Sequence, residues 1–214
     1  MKTKVLLSLA IFICAAMTAN AQINEGRFLL GGSASFYSST NLQYSNLKSE
    51  ALNTSAQFGK VVKENTVVGV ILSYGYSNIG SANKTKQFSG GLFYRKYKTL
   101  AKNFYFFGEG DAVYSHSTIN QEFKIGNNGY KNSSNGGTIS FTPGISYSVC
   151  KRMQMELLMP NVISLSYAGS KTETTSIGST SISTTKGHSF SANANLNSNL
   201  LNSFGIGFKF LLGK

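Results

Sequence analysis

The stretch TISFTPGISYSV, residues Thr138 to Val149, contains the alternation on which the fold depends. One parity carries Ile139, Phe141, Pro143, Ile145, Tyr147 and Val149, and the other carries only threonine, serine and glycine. Because side chains alternate between the two faces of a strand, the pattern predicts a β-strand with one apolar and one small polar face. A soluble sheet would turn charged residues toward water. Small polar residues suit a crowded lumen instead, which leaves the apolar face for lipid.

The amino terminus has the pattern of a secretory signal peptide. Lys2 and Lys4 form a basic start, an apolar run covers residues 5–16, and the sequence ANA at 19–21 is a small-residue cleavage site. The apolar run is too short for a helix that spans a bilayer. The predicted organisation is therefore a signal peptide over 1–21 and a single β-barrel domain over 22–214.

Cysteine and charge restrict the class of protein. Cleavage of the signal leaves Cys150 as the one cysteine, so no internal disulfide is expected. A lipoprotein signal at Cys14 is an alternative, although Ile13 stands where a small residue is needed. Charged residues make up 13% of the chain, against about 25% in soluble domains.

The chain is also strongly basic. The net charge is +12, of which Lys2 and Lys4 contribute two, leaving +10 for the mature chain. The lysines are scattered over many connections and form no basic block, which argues against nucleic acid. Phosphate-bearing lipid headgroups are a better match for this charge.

The mature chain divides into eight runs that predict strands. These runs are 27–37, 51–62, 66–77, 87–97, 104–117, 137–149, 153–167 and 199–212. Their connections alternate between long (38–50, 78–86, 118–136 and 168–198) and short (63–65, 98–103 and 150–152). Alternating loop lengths are typical of outer-membrane barrels, which have short periplasmic turns and long external loops. We therefore predict an all-β, eight-stranded, antiparallel up-and-down transmembrane barrel with both termini in the periplasm.

Three local features test this topology. Residues 187–198 are interpreted as an external extension of the eighth strand. Pro143 cannot donate to a ladder, so a bulge or bend is expected beside it. Two groups of aromatic residues are expected to form interfacial girdles, with ordinary core aromatics as the alternative. The first group is Phe104, Tyr105, Phe106 and Phe107, and the second is Tyr74, Tyr76 and Tyr114.

Three motifs resemble small eight-stranded outer-membrane barrels of the OmpX type and the barrel part of OmpA. They are QFGKVVKENTVVGVILSY at 57–74, FSGGLFYRKYKTLAKNFYFFGEG at 88–110, and FGIGFKF at 204–210. The last is similar to the carboxy-terminal signal read by the barrel-assembly machinery, with Phe204, Phe208 and Phe210 as its aromatics. Here the chain continues for four residues beyond Phe210, a departure from the pattern. The resemblance also implies ion pairs that fill the lumen.

Four charged residues lie within the predicted strands on inner parities. They are Arg95, Glu109, Asp111 and Glu156. Buried charges are tolerated when they are paired, so we predict an interior ion-pair network centred on Arg95. Paired carboxylates could instead serve acid–base catalysis, which an arginine within reach makes the weaker interpretation.

Other chemistry has little support in the sequence. His116 and His188 neighbour serines, but sequence neighbours on a strand point to opposite faces and make poor catalytic dyads. Two histidines and one mature cysteine, all far apart, lack the spacing of a metal site. No catalytic residue, cofactor or metal is therefore predicted.

The expected function is that of a non-enzymatic, monomeric, integral protein of the Gram-negative outer membrane. Its expected partners are lipopolysaccharide or phospholipid, the barrel-assembly machinery, periplasmic chaperones and an external ligand at the surface loops. The alternatives are a lipid A-modifying enzyme, an adhesin and a soluble secreted barrel of the lipocalin type. An open diffusion pore is not expected, because eight strands enclose a lumen that side chains fill.

Overall fold

The computed structural model is all-β and describes residues 23–41, 47–79, 83–122, 129–159, 161–175, 182–194 and 205–213. In these ranges no helix is long and apolar enough to cross a membrane. The predicted signal peptide over 1–21 and Phe204 lie outside them. The ten strands are β1 (Phe28–Asn41), β2 (Leu47–Lys63), β3 (Thr66–Ile79), β4 (Asn83–Ala101), β5 (Phe104–Glu122), β6 (Gly129–Cys150), β7 (Met153–Leu158), β8 (Ile163–Thr175), β9 (Ile182–Ala194) and β10 (Gly205–Leu212).

The sheet closes into a barrel of eight antiparallel strands, which confirms the predicted all-β, eight-stranded, antiparallel barrel. Strands β1 to β6 are neighbours in chain order, β7 follows β6, and β10 lies between β7 and β1. Strands β8 and β9 continue the wall beyond β7, because β8 pairs with the first half of β6 and β9 pairs with β8. The part of the predicted 187–198 segment that the structure describes is thus a strand of this extension.

Three two-residue turns mark one end of the barrel, which we call the turn end; the opposite end is the open end. The turns are 64–65, 102–103 and 151–152, and Asn65 adopts a φ of 59° that asparagine tolerates. A β-bulge precedes each turn, and its extra residue is Val62, Leu100 or Val149. The first described residues and the end of β10 also lie at the turn end.

The four predicted long loops are largely strands, which corrects the predicted boundaries. The β1–β2, β3–β4, β5–β6 and β8–β9 hairpins all continue the ladder into residues interpreted as loop. The physical reason is that ladder hydrogen bonds join backbone groups, whatever the side chains. Polar side-chain pairs across strands add to them, as where Asn132 Nδ2 on β6 donates to Thr172 Oγ1 on β8 at 3.0 Å.

The predicted strand 153–167 is wrong as one element, because it is interrupted between β7 and β8. Phe141 faces Ile163 while Gly144 faces Leu158, so three residue steps on β6 oppose five on the partner. The Pro143 carbonyl accepts from the Met159 amide at 3.0 Å. The N–H and C=O of one strand residue point toward the same neighbouring strand. The N–H that Pro143 lacks would therefore point toward the interrupted strand, where a ladder hydrogen bond is missing. The irregularity expected at Pro143 therefore lies in the strand beside it.

The two faces of the sheet are apolar outside and polar inside over most of the wall. On β6, Ile139 is 63% exposed on the outward face, whereas Ser146 on the inward face is fully buried. Inside, the turn end holds the apolar core, which consists of Ile23, Leu29, Val61, Val67, Phe93, Tyr97, Tyr105, Phe107 and Leu211.

Candidate functional site

The most organised polar group of the barrel surrounds Arg95, which lies inside on β4 and is 1% exposed. Its Nε and Nη2 both lie 2.7 Å from Glu109 Oε2 on the neighbouring strand β5. Its Nη1 donates to Glu156 Oε1 on β7 at 2.5 Å and to the Tyr97 hydroxyl at 3.0 Å. One guanidinium therefore joins two carboxylates from different sides of the lumen.

The hydrogen bonds continue from Glu109 across the lumen to the far wall. Gln57 on β2 donates from Nε2 to Glu109 Oε1 at 3.1 Å, and Gln57 Oε1 accepts from Lys209 Nζ on β10. Five strands are thus connected through side chains. Two cations, Arg95 and Lys209, balance the carboxylates of Glu109 and Glu156, which makes burial of this group tolerable.

The structure brings three of the four predicted network residues together and separates the fourth. Asp111 lies inside on β5, but it accepts hydrogen bonds at 2.8 Å from Ser140 on β6, and not from Arg95. The reason is spacing: Arg95 is directly opposite Glu109 in the β4–β5 ladder, and Asp111 is two residues further toward the open end. Two residues along a strand amount to about 6.6 Å, which separates the two carboxylates along the lumen.

Glycines on the inner face make room for the large side chains of this layer. The Phe107 ring occupies the space where a Cβ of Gly144 would lie, and the Arg95 guanidinium carbon is 4.3 Å from the centre of that ring. Across the barrel, Gly31 is directly opposite Lys209, and a Cβ there would overlap the lysine side chain. Inward glycines therefore decide which neighbouring side chains extend across the lumen.

An apolar floor closes the lumen at the turn end, below the Arg95 layer. Ile23 is fully buried there, and its carbonyl accepts from the Asn65 amide at 3.1 Å. The segment that follows is held by Gly26, whose amide donates to the Val61 carbonyl at 2.9 Å. The described start of the chain thus belongs to the floor of the barrel.

Above the Arg95 layer, toward the open end, the inner wall beside β1 to β4 carries polar, uncharged side chains. A cavity of about 220 Å³ lies against β1 to β4. The inward residues on its lining are Ser33, Asn53, Ser55, Ser73, Gly75, Gln87 and Ser89. Small hydroxyl and amide groups of this kind suit water better than an apolar ligand.

The outward face carries a continuous exposed apolar belt. Aliphatic side chains occupy its middle, among them Leu30, Val70, Leu92, Ile139 and Ile206, and aromatic side chains lie toward both ends. The aromatics toward the turn end include Phe28, Phe58, Tyr94, Phe104, Phe106, Phe208 and Phe210, and those toward the open end include Phe36, Phe88, Tyr114, Tyr167 and Phe190.

The predicted aromatic girdle on β5 requires a correction. Phe104 and Phe106 face outward, but Tyr105 and Phe107 face inward and are buried in the core, because successive residues alternate between faces. Phe208 and Phe210 of the predicted assembly signal both face outward on β10. Whether the assembly machinery reads them stays a prediction.

Both histidines face outward near the open end and have partners of their own. His116 Nδ1 is 2.7 Å from Asn135 Oδ1, and His188 Nδ1 is 3.1 Å from the Tyr167 hydroxyl. Their neighbouring serines belong to the opposite face of the same strands. In the part of the chain that the structure describes, no three histidine, cysteine or acidic residues group as metal ligands.

In comparisons with known proteins, no family model and no curated protein matches the chain. The resemblance to small outer-membrane barrels therefore stays a prediction. Sequence reasoning missed Gln57, Tyr97 and Lys209 as members of the interior layer, and also Gln154, whose Oε1 accepts from the Tyr97 hydroxyl at 3.5 Å. A usable signal was present, since each is a large polar side chain on an inner parity of its strand.

Proposed function

We propose that the protein is a non-enzymatic integral β-barrel of the Gram-negative outer membrane, anchored by its outward belt in the lipid bilayer. The observation that carries the proposal is the belt itself. Soluble monomers rarely expose a contiguous apolar surface larger than a few hundred Å². Here exposed aliphatic and aromatic side chains surround the closed barrel, while the charged residues Arg95, Glu109 and Glu156 are inside.

The height of the belt matches a membrane. On β4, outward Lys86 and Lys96 enclose the outward residues Phe88, Leu92 and Tyr94. The ten residue steps from Lys86 to Lys96 amount to about 33 Å along the strand, and a tilt of about 40° reduces this to roughly 25 Å. Apolar bands of outer-membrane barrels have this height.

Orientation follows from the two ends. Outer-membrane barrels place short turns in the periplasm and extended hairpins outside. On that basis the turn end would be periplasmic, with both ends of the mature chain, and the open end external. Lipopolysaccharide or phospholipid would then surround the belt, and the exposed strands β8 and β9 would offer a surface to external partners.

One observation weighs against a barrel of the lipocalin type, which would need an apolar lumen for its ligand: the cavity above Arg95 is lined by serine, asparagine and glutamine. A lipid A-modifying enzyme would need a hydroxyl nucleophile beside a histidine. The Thr118 hydroxyl is 3.3 Å from His116 Nε2, and Asn135 Oδ1 is 2.7 Å from the other ring nitrogen, so these contacts do not argue against that alternative. An adhesin remains compatible with the extended external strands.

A paired gel tests the proposal. The mature chain is refolded in detergent and run in SDS without heating and after boiling. We expect faster migration of the unheated sample, because a closed barrel whose outward face suits detergent resists SDS. Expression with the native signal should place the protein in the outer-membrane fraction. A chain that shows no mobility difference and stays soluble in plain buffer would overturn the proposal.

A further inference from the structure

Two grooves interrupt the outward belt near the open end, on either side of Tyr114. The first groove has a volume of about 670 Å³ and the second about 550 Å³. Tyr114, which is exposed on β5, lines both of them. The outward residues of the first groove are Thr54, Ala56, Leu72, Tyr74, Phe88, Gly90 and His116, and those of the second are Ala112, Gly137, Ile139, Leu165, Tyr167 and Phe190.

Small residues form the floors of both grooves. A Cβ at Gly90 would have its nearest neighbour, the Leu72 side chain, at 3.4 Å, and a Cβ at Gly137 would meet nothing within 4 Å. Both grooves are therefore open outward and shallow, with aromatic and aliphatic walls. Such a shape suits extended alkyl chains lying against the barrel.

Two lysines lie on the same outward face as the first groove, beyond it toward the open end. On β4, Lys86 lies two residues nearer the open end than Phe88, and Lys84 lies two residues beyond Lys86. Both lysines are on the outward face and are exposed. Neither forms an ion pair with any carboxylate that the structure describes. Thr118 on the neighbouring strand is directly opposite Lys86. The open-end border of the first groove thus carries the two ammonium groups of Lys84 and Lys86, with Thr118 beside them on β5.

Lysines also border the second groove toward the open end, four residues beyond Tyr167 and Phe190; we call this border its rim. Lys171 and Lys186 are directly opposite each other on β8 and β9, an arrangement of like charges that is unfavourable unless an anion lies close. Glu173 neutralises part of this charge, because its Oε1 lies 2.6 Å from Lys171 Nζ. That contact lowers the pKa of the Glu173 carboxyl. Lys131 on β6 lies directly opposite Glu173, so three lysines and one carboxylate leave the rim with a net positive charge.

We propose that the two grooves bind one anionic, phosphate-bearing lipid of the external leaflet, with acyl chains on both sides of Tyr114 and its phosphate at Lys84 and Lys86. The inference rests on the proposed membrane location. Charge complementarity selects the occupant: the groove walls are apolar, and lysines lie at the headgroup level. At the opposite membrane face, Lys96 and Lys98 are also exposed on β4, but neither of the two grooves extends to them.

The experiment compares lipids in bilayers of defined composition. The mature protein is inserted in nanodiscs of phosphatidylcholine with a minor fraction of phosphatidylglycerol of the same chains. Lipid that remains bound after detergent extraction is measured by native mass spectrometry. We expect retention of phosphatidylglycerol over phosphatidylcholine. The variant Lys84→Gln/Lys86→Gln should lower this preference about 25-fold, because each lysine near the surface contributes roughly fivefold and the two factors multiply.

Matched variants make the outcome specific. Lys96→Gln/Lys98→Gln removes the same charge from the same strand and should keep the preference. Gly90→Leu fills the first groove and should release bound lipid, whereas Gly110→Leu, at an outward glycine outside both grooves, should not. Equal loss in both lysine variants, or no preference in the wild type, would overturn the inference. Failure of the wild type to insert at all would instead refute the membrane proposal.

Discussion

Leu92→Arg, with Ile182→Arg as its matched control, separates a membrane barrel from a soluble one. Leu92 on β4 and Ile182 on β9 both face outward, and they are 64% and 62% exposed. In water, arginine at either position would be an ordinary surface substitution, within about 0.5 kcal/mol of neutral. Only a surrounding bilayer would distinguish the two positions.

The magnitude follows from depth. Leu92 is four residues from Lys96 and six from Lys86. At about 2.5 Å of height per tilted residue, it lies about 10 and 15 Å from the two charged rows, close to the midplane of the belt. Arginine there costs roughly 2–4 kcal/mol, which lowers the folding equilibrium constant by about 30- to 700-fold. Ile182 lies beyond the lysine rim and should cost almost nothing.

The assay is denaturant unfolding of the mature chain in phospholipid vesicles. The chain has no tryptophan, so the folded fraction is best measured from the mobility of unheated samples on gels. We expect a clearly lower midpoint for Leu92→Arg and an unchanged one for Ile182→Arg. Shifts of equal size in the two variants would refute the assignment of the belt to lipid.

Two further predictions concern the interior. Arg95→Ala leaves Glu109 and Glu156 buried without the guanidinium that pairs with both and should lower the free energy of unfolding by about 3–5 kcal/mol. Arg95→Met combined with Glu156→Gln should recover much of the loss, because it leaves one buried cation, Lys209, and one buried carboxylate, Glu109; an unchanged midpoint for Arg95→Ala would contradict the role of the ion pairs. Gly69→Ala should lower the free energy of unfolding by about 1–3 kcal/mol, because its Cβ would overlap the backbone of β2 and the Phe93 ring. Gly137→Ala is the control, since its Cβ meets open space; equal unfolding midpoints for the two variants would show that the inner face tolerates a side chain at Gly69.

Local pattern was sufficient to predict the faces of the strands and the positions of the short turns. The alternation at 138–149 and the short connections at 63–65, 98–103 and 150–152 depend on neighbours in sequence; the structure keeps the alternation and has a two-residue turn within each connection. Strand length was not predictable in the same way. The serine- and threonine-rich ends of β5 and β6 resemble loops in composition, yet they pair residue by residue from Ser115–Gly136 to Glu122–Gly129. Pairing depends on the partner strand, which composition does not reveal.

The interior layer was predictable by face but not by partner. Parity identified Arg95, Glu109, Asp111 and Glu156 as inward residues. Which of them meet depends on register and on closure of the barrel, since Glu156 is 61 residues from Arg95 in sequence. The hairpin register alone decides between the two acidic residues of β5. It places Glu109 opposite Arg95 and leaves Asp111 to Ser140.

Inward glycines explain how so narrow a lumen holds these large side chains. Eight strands leave room for side chains but not for a large one at every inward position. Phe107 lies over Gly144, Lys209 lies against Gly31, and Phe93 lies over Gly59 and Gly69. A large side chain from one strand thus uses the space that glycine leaves on another. A side chain added at an outward glycine, such as Gly137, meets open space and alters only the surface, so it is the inward glycines on which the interior depends.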